Sequence, residues 1–347
     1  MLLNLDDSLL EIDNTLKERV VVCMTNILIG FYEANFLVQA SDEIYEFFEP
    51  LIDEDRASRS LFYLKVNNSY AYDIEPFNIV YKDWKDVDVS NKEISIFFFE
   101  KTISIQKAII LGENGNDVSY YTFMAKKLFP YIPISFDIMS GGGSTTSEVF
   151  ANIQKQNKRF CLVIADSDMK YPNAPLGGTA KAIEKVWNKK QVHLDVYRLS
   201  VHEAENLLPL SFIKEKSKIN KNAMDFLKRI EKCDSFINIW RCYDIKEGIK
   251  VEDIESSPDY YSFAEKVYLE VYGVKQSFEK YISQLKFYKR KHVMPPIRSD
   301  VLDKFVHLKD EEKVKYSIFL YQQECEEIAK RVVQFACCRP NDDPLNI

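Results

Sequence analysis

Two stretches of the chain, AIILGENGND (residues 108–117) and FCLVIADSD (residues 160–168), share one pattern: a short apolar run that ends in acidic residues. Short runs that are wholly apolar are typical of strands buried on both faces of a parallel sheet. Helical spacing follows each run, over residues 117–128 and 179–188. This alternation of strands and helices predicts crossover connections within one parallel sheet.

Two more strands extend this predicted sheet. Ile134–Met139 is followed by the glycine turn Gly141–Gly143 and a helix over Thr145–Gln156, and Leu194–Leu199 leads into a helix that starts near His202. The predicted fold class is therefore α/β, a Rossmann-like parallel sheet flanked by helices. We expect three segments: an N-terminal α+β domain (1–105), the α/β domain (106–212) and a mostly helical C-terminal region (213–347).

Carboxylates follow three of the predicted strands. In open parallel sheets, functional groups lie beyond the carboxyl ends of the strands. Bringing several carboxylates together costs several kcal/mol in repulsion and desolvation unless a cation compensates. Oxygen ligands favour Mg²⁺ or Mn²⁺, and Mg²⁺ often completes its shell with phosphate. The acids concerned are Glu113 and Asp117, Asp166 and Asp168, and Glu203 and Glu205.

Structural interpretations of the same acids stay open. An Asp-x-Asp pair is common in solvated loops, so Asp166 and Asp168 alone are weak evidence. Asp117 is also suited to capping a helix, and Glu203 and Glu205 favour the first turn of one.

The residues resemble those of the Toprim family. The segment ILGENGND (110–117) resembles the signature in which a strand ends in Glu and Asp follows four positions later, and IADSD (164–168) resembles its Asp-x-Asp motif. MSGGGS (139–144) resembles the turn between them. HEAENLL (202–208) resembles a segment of the overcoming-lysogenization-defect (OLD) nucleases and of stand-alone Toprim proteins in phage defence. One departure is Asn114, where the family usually has Gly.

The resemblance implies a site with two Mg²⁺ or Mn²⁺ ions that hydrolyses phosphodiester bonds. It implies that Glu113, Asp117, Asp166 and Asp168 bind the metals, with Glu205 more suited to join them than Glu203. Glu113 is alternatively a proton donor or acceptor. Three further features have both a functional and a structural interpretation. Lys170 and Lys246 are either cationic catalytic residues or solvated lysines. Gly141–Gly143 is either a phosphate cradle or a turn, and His202 is either a ligand or a helix-start residue.

By this resemblance we expect an endonuclease that acts on DNA or RNA as the effector of an antiviral defence system. The chain has no GxxxxGK[ST] phosphate loop, so we expect a separate ATPase or sensor protein as partner. Three alternatives remain: a catalytically silent Toprim scaffold, a topoisomerase- or primase-like enzyme, and a phosphatase-like domain that uses Asp166 and Asp168.

Composition bears on location and on partners. The seven dispersed cysteines suit a reducing compartment, and the apolar run Val20–Phe31 is too short to span a bilayer, so we expect a cytoplasmic protein with no membrane partner. The net charge of −7 argues mildly against unassisted DNA binding. Basic clusters occur at Lys214–Lys221 and Lys286–His292, and each is also consistent with a solvated helix face.

Overall fold

The computed structural model describes residues 1–67, 73–216, 218–255, 257–273, 277–316 and 319–340. The chain forms two compact units. Unit 1 comprises Met1–Ile164, Ile183–Tyr197 and Glu326–Ile347, and unit 2 comprises Ala165–Ala182 and Arg198–Cys325. These boundaries differ from the predicted divisions at residues 105 and 212.

The N-terminal part of unit 1 contains a four-stranded parallel sheet in the order β2-β1-β3-β4. The apolar run Val20–Phe31 lies in helix α1 (Lys17–Tyr32), whose buried apolar residues are Val20, Cys23, Met24, Ile27, Leu28 and Phe31. The run Ser60–Val66, whose aromatic and β-branched residues favour a strand, is helical instead. Its buried residues recur at helical spacing, which its β-branched and aromatic content obscures. The elements are β1 (Leu2–Leu5), α1 (Lys17–Tyr32), β2 (Leu37–Gln39), α2 (Asp42–Phe48), α3 (Asp55–Val66), β3 (Phe77–Val80) and β4 (Glu93–Ser95).

The second sheet has the order β6-β5-β7-β8 and confirms the predicted α/β class with a parallel sheet flanked by helices. Strand β5 pairs in parallel with both β6 and β7. Two hydrogen bonds, from Cys161 N–H to the His193 carbonyl and from Leu199 N–H to the Ala165 carbonyl, give β8 the same direction as β7. The elements are β5 (Ile109–Gly112), α4 (Gly115–Leu128), β6 (Asp137–Ser140), α5 (Thr146–Gln156), β7 (Cys161–Ala165), α6 (Gly178–Val186) and β8 (Leu194–Arg198).

Strands β5 and β7 are apolar because they are central in this sheet. Every residue of both strands is buried. A strand covered on both faces has no solvent side, so it shows a continuous apolar run instead of an alternating pattern. The acidic residues begin where the strands end: Glu113 directly follows β5, and Asp166 directly follows β7.

The end of the chain belongs to unit 1, although the predicted C-terminal segment continues without interruption from residue 213. Ser135 N–H donates to the Ala336 carbonyl (2.8 Å), and Cys338 N–H donates to the Pro133 carbonyl (3.0 Å). The ring of Phe335 lies 5.4 Å from that of Phe77. Contacts between residues so distant in sequence leave no local signal in composition or spacing.

Unit 2 is mostly helical after β8. The amphipathic stretch Tyr260–Leu285 contains parts of two helices, and the first ends at Gly273, whose φ of 74° continues no right-handed helix. None of the described helices is long and apolar enough to cross a membrane. The remaining elements are α7 (Leu210–Lys216), α8 (Lys221–Ile230), α9 (Phe236–Arg241), β9 (Ile249–Lys250), α10 (Val251–Glu255), α11 (Pro258–Tyr272), α12 (Phe278–Phe287), β10 (His292–Met294), α13 (Val301–Val306), α14 (Asp310–Lys313) and α15 (Gln322–Ala336).

Candidate functional site

In unit 1, the turn after β5 is held by a capping box. The Asn114 side-chain oxygen accepts from the N–H groups of Asn116 (2.8 Å) and Asp117 (3.1 Å), and the Asp117 carboxylate accepts from the Asn114 N–H (3.0 Å). Asn114 therefore caps α4. The buried carboxylate of Asp117 has this structural role, and the half-buried Glu113 lies immediately before the cap.

The glycine turn after β6 supports Glu113. The N–H groups of Gly141 and Gly142 donate to the carbonyls of Gly112 (2.8 Å) and Glu113 (2.9 Å). Gly142 and Gly143 have φ values of 73° and 65°, a conformation that favours glycine. Because these N–H groups already bind the backbone of the β5 turn, the geometry favours the structural interpretation of Gly141–Gly143 over a phosphate cradle.

In unit 2, the Asp-x-Asp loop after β7 is joined to the segment after β8. The Asp166 Oδ1 atom accepts from the Ala204 N–H (3.1 Å), and Asp168 N–H donates to the His202 carbonyl (2.9 Å). Asp166 is buried and Asp168 is half-buried. The two hydrogen bonds join residues that are 38 and 34 positions apart in sequence, and they fix the two acidic segments side by side.

Asp168 has a left-handed backbone and a tightly packed carboxylate. Its φ is 52°, which is uncommon for a residue other than glycine. The Gly177 N–H donates to the Ser167 carbonyl (2.8 Å), which brings Gly177 against Asp168. A Cβ atom at Gly177 would lie 2.0 Å from the Asp168 Oδ2 atom, whereas a Cβ at the neighbouring Gly178 meets nothing within 4 Å.

We therefore expect Gly177→Ala to displace the Asp168 carboxylate and Gly178→Ala to leave it in place. Overpacking of this kind costs about 1–3 kcal/mol, so chemical denaturation should show that loss for Gly177→Ala and no loss for the matched Gly178→Ala variant. Equal stability of the two variants would show that the loop at Asp168 adapts without cost.

The acidic segment after β8 surrounds a lysine. The Lys246 ammonium lies 2.9 Å from Glu203 Oε2 and 2.9 Å from Glu205 Oε1. Both glutamates are buried, and the second oxygen of Glu203, Oε1, accepts from the Ile245 N–H (3.0 Å). We call Glu203, Glu205 and Lys246 the Glu–Lys–Glu cluster. Of the two candidate lysines, Lys246 belongs to this group of acids.

Burial and charge shift the pKa values within the cluster. Burial, and then the neighbouring Glu205 carboxylate, raise the pKa of Glu203 to about 7, although Lys246 acts in the opposite direction. Burial alone would lower the pKa of Lys246, but the carboxylates of Glu203 and Glu205 raise it well above its usual range. Lys246 is thus a fixed cation, and Glu203 can exchange a proton near neutral pH.

Asn206 holds the Glu–Lys–Glu cluster together, and it is not among the site residues predicted from the sequence. Its side-chain N–H₂ donates to the carbonyls of Trp240 (2.7 Å) and Tyr243 (2.8 Å), and its side-chain oxygen accepts from the Glu203 N–H (2.9 Å). These bonds fix the chain that leads to Lys246 against the turn that carries the two glutamates. The only sequence signal for Asn206 is its place in the HEAEN segment.

His202 and Lys170 have separate partners. The His202 Nδ1 atom lies 2.9 Å from the Met169 carbonyl, and Nε2 lies 3.7 Å from Asp244. Burial lowers the pKa of His202, but the Asp244 and Glu203 carboxylates give it a net upward shift. This arrangement favours a structural role for His202. Lys170 is 46% exposed and pairs with Asp253 at 3.2 Å.

The arrangement of the acidic side chains limits where a metal ion could bind. Within the ranges that the structure describes, no three or more His, Cys, Asp or Glu side chains form a group that could hold a metal ion. Glu203 and Glu205 do not fit as metal ligands as they stand, because the Lys246 ammonium already provides the cation between them. Asp166 and Asp168 are oxygen donors of the right chemistry for Mg²⁺, and Asp166 Oδ1 accepts the Ala204 N–H.

Comparisons of the chain with protein-family models, with curated proteins and with solved structures found no match. The function proposed below depends on the sequence motifs and on the chemistry of these residues.

Proposed function

We propose that the chain is a Mg²⁺- or Mn²⁺-dependent nuclease of the Toprim type, which hydrolyses phosphodiester bonds in nucleic acid. The observation that supports it best is the Glu–Lys–Glu cluster, in which two buried glutamates flank a half-buried lysine, joined through Ala204 to the carboxylate of Asp166. Burying two carboxylates beside each other is costly, and groups with shifted pKa values concentrate at functional sites.

The roles follow from the chemistry of each group. Asp166 and Asp168 supply the oxygen atoms that would hold the metal. A bound Mg²⁺ would polarise the phosphate and favour ionisation of a water molecule. Lys246 keeps its charge throughout the physiological pH range and would stabilise negative charge on a phosphate. Glu203 and Glu205 position Lys246, and Glu203 can hold or release a proton near neutral pH.

The test is a cleavage assay with Mg²⁺ or Mn²⁺ against EDTA, on plasmid, single-stranded DNA and total RNA. We expect metal-dependent cleavage that Asp166→Asn lowers on the order of 100-fold or more, because loss of groups that only support metal ligands already costs about 10–100-fold. Asp259→Asn, on the exposed first turn of α11, is the matched control and should cleave like the wild type.

The outcomes separate the alternatives. Cleavage that Glu113→Gln also abolishes would support the catalytic or metal-binding role that the resemblance implies for Glu113. Hydrolysis of a phosphomonoester without cleavage of polynucleotides would favour the phosphatase hypothesis. Binding of Mn²⁺ by calorimetry without cleavage would direct the search to an activating ATPase or sensor protein. Absence of both would contradict a metal-dependent enzyme.

One observation favours a second candidate, the catalytically silent scaffold. The charges of the cluster satisfy one another, and Asp117 is used in a capping box, so both have structural roles without any metal. In that case Asp166→Asn would change the free energy of unfolding, and neither the wild type nor the variant would cleave nucleic acid. The cleavage assay decides between the two.

A further inference from the structure

A short segment of unit 2 exposes aromatic and basic side chains in sequence. Lys286–Lys291, KFYKRK, lies between the buried residues Leu285 and Val293, and all six of its residues are exposed. Phe287 is 79% exposed and Tyr288 is 66% exposed. We call this the basic-aromatic segment. Two large adjacent rings in water are unusual for a free surface and indicate an interaction site.

The segment is held by its backbone. It starts in the last turn of α12, which is anchored by buried apolar residues that include Leu285. The Arg290 N–H donates to the Leu285 carbonyl (2.8 Å), and Lys289 turns the chain with a φ of 54°. This compact helix end directs successive side chains outward. The rings of Phe287 and Tyr288 lie 5.1 Å apart at 86°, so each presents a different face.

The charges of the segment are largely uncompensated. Lys286 pairs with Glu255, but Lys289, Arg290 and Lys291 form no ion pair with any acidic residue that the structure describes. Burial, and then the charges of Lys250 and Lys291, lower the pKa of His292, which is consistent with a local positive potential. This positive surface stands out in a chain of net charge −7.

A groove adjoins the segment. Its volume is about 600 Å³, and its lining includes Tyr272, Tyr281, Asp225, Arg290 and Lys291. The groove therefore continues the same chemistry of ring faces and cations, with Asp225 as the one acidic residue of the lining that the structure describes. A lipid-binding surface would instead present a broad apolar face to the acyl chains.

The segment is also connected to the Glu–Lys–Glu cluster. The Lys291 carbonyl accepts from the Val251 N–H (2.9 Å), and β10 pairs with β9. Lys246 precedes Val251 by five residues, and a chain of that length spans at most about 18 Å. One flexible polymer can thus reach both places.

We infer that the basic-aromatic segment and its groove bind single-stranded nucleic acid. Cations neutralise the phosphates, and exposed rings stack on bases, which are free to stack on protein only when they are unpaired. The inference rests on the proposed function where it names single-stranded nucleic acid as the substrate class, but binding is measurable without cleavage.

The test is fluorescence anisotropy in EDTA, with a labelled oligothymidylate of about 20 nucleotides, longer than the ~4–16 nucleotides that single-strand binding folds occupy. We expect the double variant Phe287→Ala/Arg290→Ala to bind on the order of tenfold more weakly than the wild type, as loss of one stacked ring already predicts. The matched control is Tyr131→Ala/Lys127→Ala, which removes an 87%-exposed tyrosine and an exposed lysine elsewhere. It should change the affinity less than about twofold.

Further arms separate this inference from the proposed function. Asp166→Asn should keep the oligonucleotide affinity, and duplex DNA should bind more weakly than the single strand. Oligonucleotide binding that depends on the basic-aromatic segment, by a protein that cleaves no nucleic acid, would support the inference and contradict the nuclease proposal. Phosphatidylserine vesicles serve as a lipid probe in the same assay. Equal oligonucleotide affinity of both double variants, or binding to the vesicles alone, would overturn the inference and leave the nuclease proposal standing.

Discussion

Lys246→Met should lower the free energy of unfolding by about 2–4 kcal/mol near pH 8. Removing one partner of a buried ion pair typically costs about 3–5 kcal/mol, because the remaining charge has no compensation. Here the lysine side chain is 35% exposed, so water reduces the loss. Two buried glutamates, Glu203 and Glu205, would face each other without the cation. Urea denaturation measures the difference, and cleavage should fall with it if the proposed function holds.

The matched control for this prediction is Lys170→Met. Lys170 is also a lysine of unit 2 paired with an aspartate, but it is 46% exposed, and surface pairs contribute about 0–1 kcal/mol. Glu203→Gln combined with Lys246→Met should recover part of the lost stability, because only one carboxylate then lacks compensation. A Lys246→Met variant as stable as Lys170→Met would contradict the role of the cluster.

The stability of the wild type should fall as the pH rises from about 5 to about 8, and Glu203 should account for much of that fall. The folded pKa of Glu203, about 7, lies above the ordinary value of 4.5, so the folded protein binds more protons than the unfolded chain between these values. The contribution is complete below the ordinary pKa and is lost as the pH rises through the folded one. A difference of this size corresponds to about 3 kcal/mol.

Glu203→Gln tests this pH dependence. The variant should show a flatter dependence of the unfolding free energy on pH, measured by urea denaturation in a pH series. His202 has a raised pKa and acts in the same direction, so some slope should persist. The control Glu247→Gln removes an exposed carboxylate paired with Lys250 and should keep the wild-type slope. Parallel profiles for Glu203→Gln and the wild type would contradict the raised pKa.

The second sheet was predictable because its signals are local. The wholly apolar runs that became β5 and β7 have no solvent face, and the predicted helices over residues 117–128 and 145–156 appear with ends shifted by only a few residues. The secondary structure around the first sheet was harder to predict, because helix α3 carries β-branched and aromatic residues in its last turns. There, burial of one helix face outweighs local propensity.

The candidate site was predictable only in its composition. Glu203, Glu205 and Lys246 were each proposed from the sequence, but their mutual contacts were not. Lys246 follows Glu205 by 41 residues, and the hydrogen bonds of Asn206 to the carbonyls of Trp240 and Tyr243 bring that segment back. These hydrogen bonds end on backbone carbonyl groups. Because every residue carries such a group, the bonds leave no pattern in the sequence.

The sequence by itself determined the α/β class, the central strands and the placement of acids at their carboxyl ends, because strand burial and helix periodicity depend on neighbouring residues. Only the tertiary structure decided that Asp117 caps a helix, that a lysine neutralises Glu203 and Glu205, and that the end of the chain joins unit 1. These outcomes depend on which distant groups meet in a buried environment, where the cost of an unpaired charge selects the partner.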